Sequence, residues 1–199
     1  MRDEKRAARA EQIENAAYMV LEEKGYSGLS MLSVAKAAKA SNETLYRWYG
    51  DKLGLFEALI TRNTESVRAT LDATQGSTAI STLQQVGPAL LTMLLGPRAV
   101  ALNRAAAADA SGALGRALAK SGRETMGPWI ARVMARAQTE GTLSGGDPGD
   151  MAEVWFGLLI GDMQIRRVTG AVDAPSPDEI AQRAETALRR LRALFPPQN

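Results

Sequence analysis

Apolar residues along this chain recur at intervals of three and four, the period of an α-helix, and nowhere settle into the two-residue alternation of a strand. The first stripe, Ile13, Ala17, Val20 and Leu21, predicts a helix over 6–24 that stops at Gly25. Ser30 is placed to cap a second, short helix whose inward face is Met31, Val34, Ala35 and Ala38. A turn at Lys39-Ala40 leads to Ser41, a second cap, after which Thr44, Leu45 and Trp48 turn one side of a third helix toward the first two. Gly50 interrupts the pattern, and Asp51 caps a longer helix carrying Leu55, Phe56, Leu59 and Ile60.

Beyond 74–77 the pattern predicts helices over 78–95, 97–109, 112–139, 149–169 and 177–194. Gly96-Pro97, Gly141 and the Gly/Ser/Pro-rich run 144–149 punctuate them. Gly127-Pro128 falls inside 112–139, where a proline either kinks or divides a helix. Two apolar faces stand out near the C-terminus: Val154, Leu158, Gly161, Ile165 and Val168, then Ile180, Ala184, Ala187, Leu188, Leu191, Leu194 and Phe195. Such faces serve a monomer core or an intersubunit four-helix bundle, and the glycines of 157–161 would let another helix approach closely. The expected fold is all-α, an N-terminal three-helix head containing a helix-turn-helix and a larger helical body.

Composition narrows the chemistry. The chain has 199 residues, enough for a head and a body, and neither cysteine nor histidine. Disulfides, Cys/His zinc sites, thiol nucleophiles, imidazole acid–base chemistry and a Ser-His-Asp triad are thereby excluded. The glycine-rich run 141–146 lacks a following Lys-Ser/Thr pair and a preceding strand, so it reads as a loop and not a nucleotide cradle. Asp147, Asp150 and Glu153 gather at a helix start, where acids complement the helix dipole. No catalytic residue, metal site or cofactor is expected. No apolar core follows the charged N-terminus, and the greasy run 89–95 is far too short to span a bilayer, so a cytoplasmic protein without a membrane partner is expected. A net charge of +2 does not describe a polybasic coat; DNA binding would need a local footprint.

The segment 41–52 offers such a footprint. Asn42 can pair bidentately with adenine, and Glu43 can either accept from a cytosine amino group or act as the helix's N-terminal charge partner. Thr44 suits a thymine methyl or a phosphate, while Tyr46 and Arg47 reach backbone oxygens, with guanine an alternative for Arg47. Lys52, just past the break, is placed for phosphate. On spacing alone, a solvent-facing helical hairpin with Tyr46, Trp48 and Tyr49 packed locally fits equally well.

The order of residues over 13–60 resembles the N-terminal domain of the TetR family of transcriptional regulators. The resemblance runs through Ile13-Glu14-Asn15-Ala16-Ala17, Glu23-Lys24-Gly25-Tyr26 and Val34-Ala35-Lys36-Ala37-Ala38. It ends in Ser41, Thr44-Leu45-Tyr46-Arg47-Trp48-Tyr49, Lys52 and Leu55-Phe56. It implies a DNA-binding domain over 1–54 and an effector-binding and dimerisation domain over 55–199. Tyr46 and Lys52 then take the family's phosphate contacts, and the recognition helix lies at about 42–49. The DNA-binding residues expected are Ser41, Asn42, Glu43, Thr44, Tyr46, Arg47, Tyr49 and Lys52. Three departures stand out: Lys39-Ala40 replaces a common Gly-Val turn, Leu32 occupies an often polar position, and Glu43 a commonly small or neutral one.

The body resembles a TetR subgroup more loosely, at 105–110, Arg116, the long helix after Gly127, Gly141-Thr142-Leu143 before Asp147-Pro148, and Phe156-Gly157-Leu158-Leu159. The family implies an effector cavity there. Met93, Met126, Trp129, Met134, Trp155, Phe156 and Met163 are its expected apolar lining, with Asn103, Arg104, Asp162 and Gln164 as polar contributors. Each apolar member fits ordinary core as well, since methionine fills irregular packing readily. The expected function is a ligand-responsive transcriptional repressor that binds a palindromic operator in double-stranded DNA as a homodimer through its last two helices. The rival is a helical small-molecule-binding protein without specific DNA recognition.

Overall fold

The computed structural model describes residues 2–198, with side chains from residue 4 onward. Its first helix, α1 (Arg2–Gly28), breaks at Gly25, where φ 63° and ψ −172° leave the helical region. Ser30 caps α2 (Met31–Ala37) in a reciprocal box: its hydroxyl accepts from Ser33 N, and Ser33 Oγ accepts from Ser30 N. Ser41 caps α3 (Asn42–Tyr49), accepting from Thr44 N at 3.0 Å. Asp51 does the same for α4 (Lys52–Ala73), accepting from Gly54 N at 2.8 Å. Each such cap contributes about 1 kcal/mol, which is substantial for α2 and α3, too short to persist alone.

The later helices are α5 (Ala79–Leu95), α6 (Pro97–Ala108), α7 (Ala113–Leu118), α8 (Glu124–Thr139), α9 (Pro148–Ile160), α10 (Met163–Thr169) and α11 (Pro177–Leu194). Two helices expected to be continuous are divided. The helix expected over 112–139 widens into a π turn at Ala119–Arg123, upstream of Gly127-Pro128, and Pro128 stays inside α8. The wide turn supplies slack just before the point where the proline ring crowds the carbonyl four residues back. The helix expected over 149–169 ends instead at Gly161, whose φ 51° and ψ −132° suit glycine. Arg183 Nε donates to the Leu159 carbonyl at 2.9 Å, satisfying a group that the broken helix leaves open.

The helices sort into two compact units, and not in simple chain order. Met1–Asn63 packs with Pro97–Ser121, and Thr64–Gly96 packs with Gly122–Asn199. In the first unit α1 packs against α2 and α6, around Ile13, Val34, Leu45, Phe56 and Leu102. Tyr18 crosses this core and donates to the Leu59 carbonyl at 2.6 Å. The unit holding α1–α3 thus extends beyond residue 54 and recruits α6 and α7.

In the second unit α8 packs on α9, and α11 lies against both α5 and α9. Its core holds Leu83, Leu91, Ile130, Met134, Trp155, Leu159 and Leu188. Gly87 permits a close approach between α5 and α11: a Cβ there would stand 3.3 Å from Ala184 Cβ and 3.6 Å from the Trp155 ring. No single helix among the described residues is long and apolar enough to cross a membrane, and the apolar positions of α5 are largely buried in its own unit.

Candidate nucleic-acid interface

Leu45 decides which side of α3 faces outward. It is the buried residue of that helix, and the helical period places Glu43, Tyr46 and Arg47 away from it, with Asn42 exposed at the helix start. All four are exposed, Tyr46 at 51% despite its aromatic ring. An amide, a carboxylate, a phenol and a guanidinium therefore share one surface on a helix narrow enough for a major groove. Ser41 and Thr44 turn toward each other instead, their hydroxyl oxygens 2.8 Å apart. Ser41 is committed to the cap, so its hydroxyl fixes the start of α3.

The turn into α3 forms without the glycine common at this point. Lys39 adopts a left-handed φ of 50°, and Arg9 in α1 donates to the Lys39 carbonyl at 2.7 Å while also holding Gln12 Oε1 at 2.8 Å. A left-handed non-glycine residue costs roughly 1–2 kcal/mol, against about 0.5–1 kcal/mol for the extra chain entropy that glycine loses. Lys39→Gly is accordingly expected to stabilise the protein by about 0.5–1 kcal/mol, seen as a higher urea midpoint at unchanged slope. A lower midpoint would show that the lysine side chain contributes more than its backbone costs.

Lys52 lies at the start of α4 and bonds within the head. Its ammonium donates to the Tyr26 carbonyl at 2.9 Å and sits 3.5 Å from the centre of the Tyr26 ring. Partial burial lowers its pKa, while the charge of Asp109 opposes the shift. Tyr26 is not among the expected binding residues, yet it sets where this cation points; the Gly25-Tyr26 pair at the break of α1 is its sequence signal.

Tyr49 is set differently from Tyr46. Its side chain is half-buried, and burial beside the Glu14 carboxylate pushes its hydroxyl up to about 12. Glu14 is in turn 3.5 Å from Arg62 Nε. Tyr49 is therefore a neutral packing residue turned into the head, unlike Tyr46 on the outer face. Leu32 is 54% exposed and borders an open cleft with Met19, Lys24 and Lys36, so it adds surface and not core.

The expected effector residues divide between the units. Met126, Met134, Trp155 and Phe156 are buried in the core of the second unit, with Met93, Trp129 and Met163 packed against it. Trp129 also borders a cavity of about 220 Å³. Asn103 and Arg104 belong to α6 in the first unit, where Asn103 donates to the Ala99 carbonyl at 2.9 Å and Arg104 is exposed. Asp162 and Gln164 follow the break at Gly161, and Asp162 lies 3.9 Å from Arg166. Among the described residues, no group of three or more His, Cys, Asp or Glu could hold a metal ion.

Residues 13–59 match the tetR family of bacterial regulatory proteins, and residues 81–194 match the C-terminal domain of the AefR-like transcriptional repressors. A putative TetR-family transcriptional regulator from Mesorhizobium loti is 26% identical, with 95% of this chain and 97% of that one covered at a TM-score of 0.78. A TetR transcriptional regulator from Agrobacterium tumefaciens is also 26% identical, with 94% of each chain covered at a TM-score of 0.74. The flavonoid-responsive regulator FrrA is 25% identical, with 97% and 100% covered at a TM-score of 0.71. No curated protein matches the chain.

Proposed function

The chain belongs to the TetR family of transcriptional regulators, and from that premise we propose that it is a ligand-responsive repressor acting on a palindromic operator as a homodimer. The observation that carries this reading is the outer face of α3, where Asn42, Glu43, Tyr46 and Arg47 stand exposed around one buried anchor, Leu45. Asn42 and Glu43 read base edges, Tyr46 and Arg47 hold phosphates, and Lys52 completes the clamp from its seat on Tyr26. DNA contact belongs to 1–54, and effector binding and dimerisation belong to 55–199. Localisation is cytoplasmic, where the DNA is.

Dimerisation through α9–α10 and α11 is supported by the apolar surface these helices leave uncovered. Ile165 and Leu194 are each 59% exposed, and a Cβ at Gly157 would meet nothing within 4 Å. A side chain at 157 would thus meet no other element among the described residues, which leaves that face open to a second copy. The effector is a small organic molecule, a reading supported by the similarity to a flavonoid-responsive regulator.

The test is fluorescence anisotropy of the purified protein on neighbouring intergenic DNA against unrelated DNA, at moderate salt. Specific binding with a dimeric sedimentation mass is expected. Equal affinity for every fragment would remove the operator assignment and favour the rival, a ligand-binding protein without specific DNA recognition; a monomeric mass on DNA would remove the dimer. Tyr46→Phe is expected to weaken operator and unrelated DNA alike, by about 1 kcal/mol for one solvent-exposed hydrogen bond. A loss confined to the operator would place Tyr46 on a base.

A further inference from the structure

The cavity of about 220 Å³ in the second unit lies where the C-terminal end of α4, the first turn of α5 and the middle of α8 meet. Its apolar walls come from Leu71, Val133 and Trp129, and its charge from Arg132 and Arg136. Arg132 lies over the Trp129 indole, 4.5 Å from the ring centre. Its guanidinium makes no ion pair or hydrogen bond to another group among the described residues.

Arg136 is held differently. It donates to the buried Thr82 hydroxyl at 2.6 Å, and its buried Nε stands 3.4 Å from Glu140 Oε1 without a hydrogen bond. Glu140 itself is occupied at the start of α5, accepting from Ala79 N at 2.9 and 3.1 Å through its two oxygens. Thr82 and Thr74 direct their own protons to the Thr78 and Leu71 carbonyls. Arg136 therefore faces a carboxylate that is already engaged, while Arg132 lies beside an indole with no acidic partner among the described residues.

We infer that this cavity binds a small carboxylate with a planar apolar body. The carboxylate meets the Arg132 fork, whose donors are free to form a bidentate pair, with the Arg136 charge one helical turn away. The planar body lies against Trp129, Leu71 and Val133. The volume is below the ~300–1,000 Å³ typical of pockets for drug-sized ligands, which limits the occupant to one or two fused rings. A dianion or a larger conjugate is disfavoured, since Glu140 already offsets one of the two cations. Arg132 and Arg136 are four apart on α8 with Trp129 three residues before Arg132, so one helix face carries all three.

This site specifies the effector class of the function proposed above and rests on that reading only for its regulatory consequence. The experiment is isothermal titration of the full-length protein with 2-naphthoate and with its uncharged counterpart 2-naphthalenemethanol, alongside anisotropy on operator DNA. Naphthoate is expected to bind at least tenfold more tightly than the alcohol. Arg132→Gln and Trp129→Leu are each expected to weaken naphthoate at least tenfold, and Arg192→Gln, on the exposed side of α11, to leave it unchanged. Thermal melting of each variant confirms that it is folded. Equal binding of acid and alcohol, undiminished binding by folded Arg132→Gln, or no binding at millimolar naphthoate would overturn the site. If naphthoate binds as described yet operator affinity does not respond, the site stands and the effector reading fails. If operator binding is intact while naphthoate does not bind, the site fails alone.

Discussion

Leu45→Ala is expected to cost about 2–5 kcal/mol of stability, the range for emptying a fully buried leucine site, and to abolish specific operator binding. Leu45 is 0% exposed and is the buried residue of an eight-residue helix. A helix of that length does not persist without tertiary support, so losing its anchor releases the whole reading face while no DNA contact is touched. The measurement pairs urea unfolding with hydrogen exchange over 41–49 and anisotropy on the operator. Leu45→Met, a volume-conserving change costing under about 1.5 kcal/mol, is expected to retain both folding and binding. Operator affinity within twofold of the parent in Leu45→Ala would show that α3 is held by something other than this side chain.

Glu43→Ala is expected to relax base preference at one operator position by about 1–3 kcal/mol, the worth of a good base-edge contact, without weakening binding to unrelated DNA. Glu43 is exposed on the same face as Asn42, Tyr46 and Arg47. A carboxylate there approaches a phosphate-lined groove and is repelled by it, unless the repulsion is offset by accepting from a cytosine amino group. A panel of operators substituted one base pair at a time reads this directly. A uniform gain on all sequences would instead identify Glu43 as a simple repulsive charge, and the base-reading role would be lost. Tyr46→Phe makes the useful contrast, because a phosphate contact changes affinity without changing preference.

The local parts of this protein are legible in its residue order. Ser30, Ser41 and Asp51 cap the helices they precede, and α11 spans the expected 177–194. The reason is that capping bonds reach three residues and helical bonds four, so both are written in adjacent sequence. Lys39 is legible as an anomaly in the turn, but its remedy is not: Arg9 lies 30 residues away. Tyr46 and Tyr49 look alike in sequence, three apart on one short helix. The fold separates them, because the second turns inward beside Glu14 of α1. The break at Gly161 escapes the pattern for a related reason, since apolar spacing continues across it.

An all-α chain, the caps that start its short helices, and a resemblance over 13–60 that indicates a DNA-reading head all follow from the order of residues. Other features arise only once the chain is folded: α6 and α7 pack with that head, and Lys52 is seated on Tyr26. So does the cavity that Arg132 and Arg136 border with α4 and α5. A hydrophobic period states which face of a helix is buried and is silent about the partner. That choice depends on side-chain volumes and hydrogen bonds between residues far apart in the chain, which become neighbours only when the core closes.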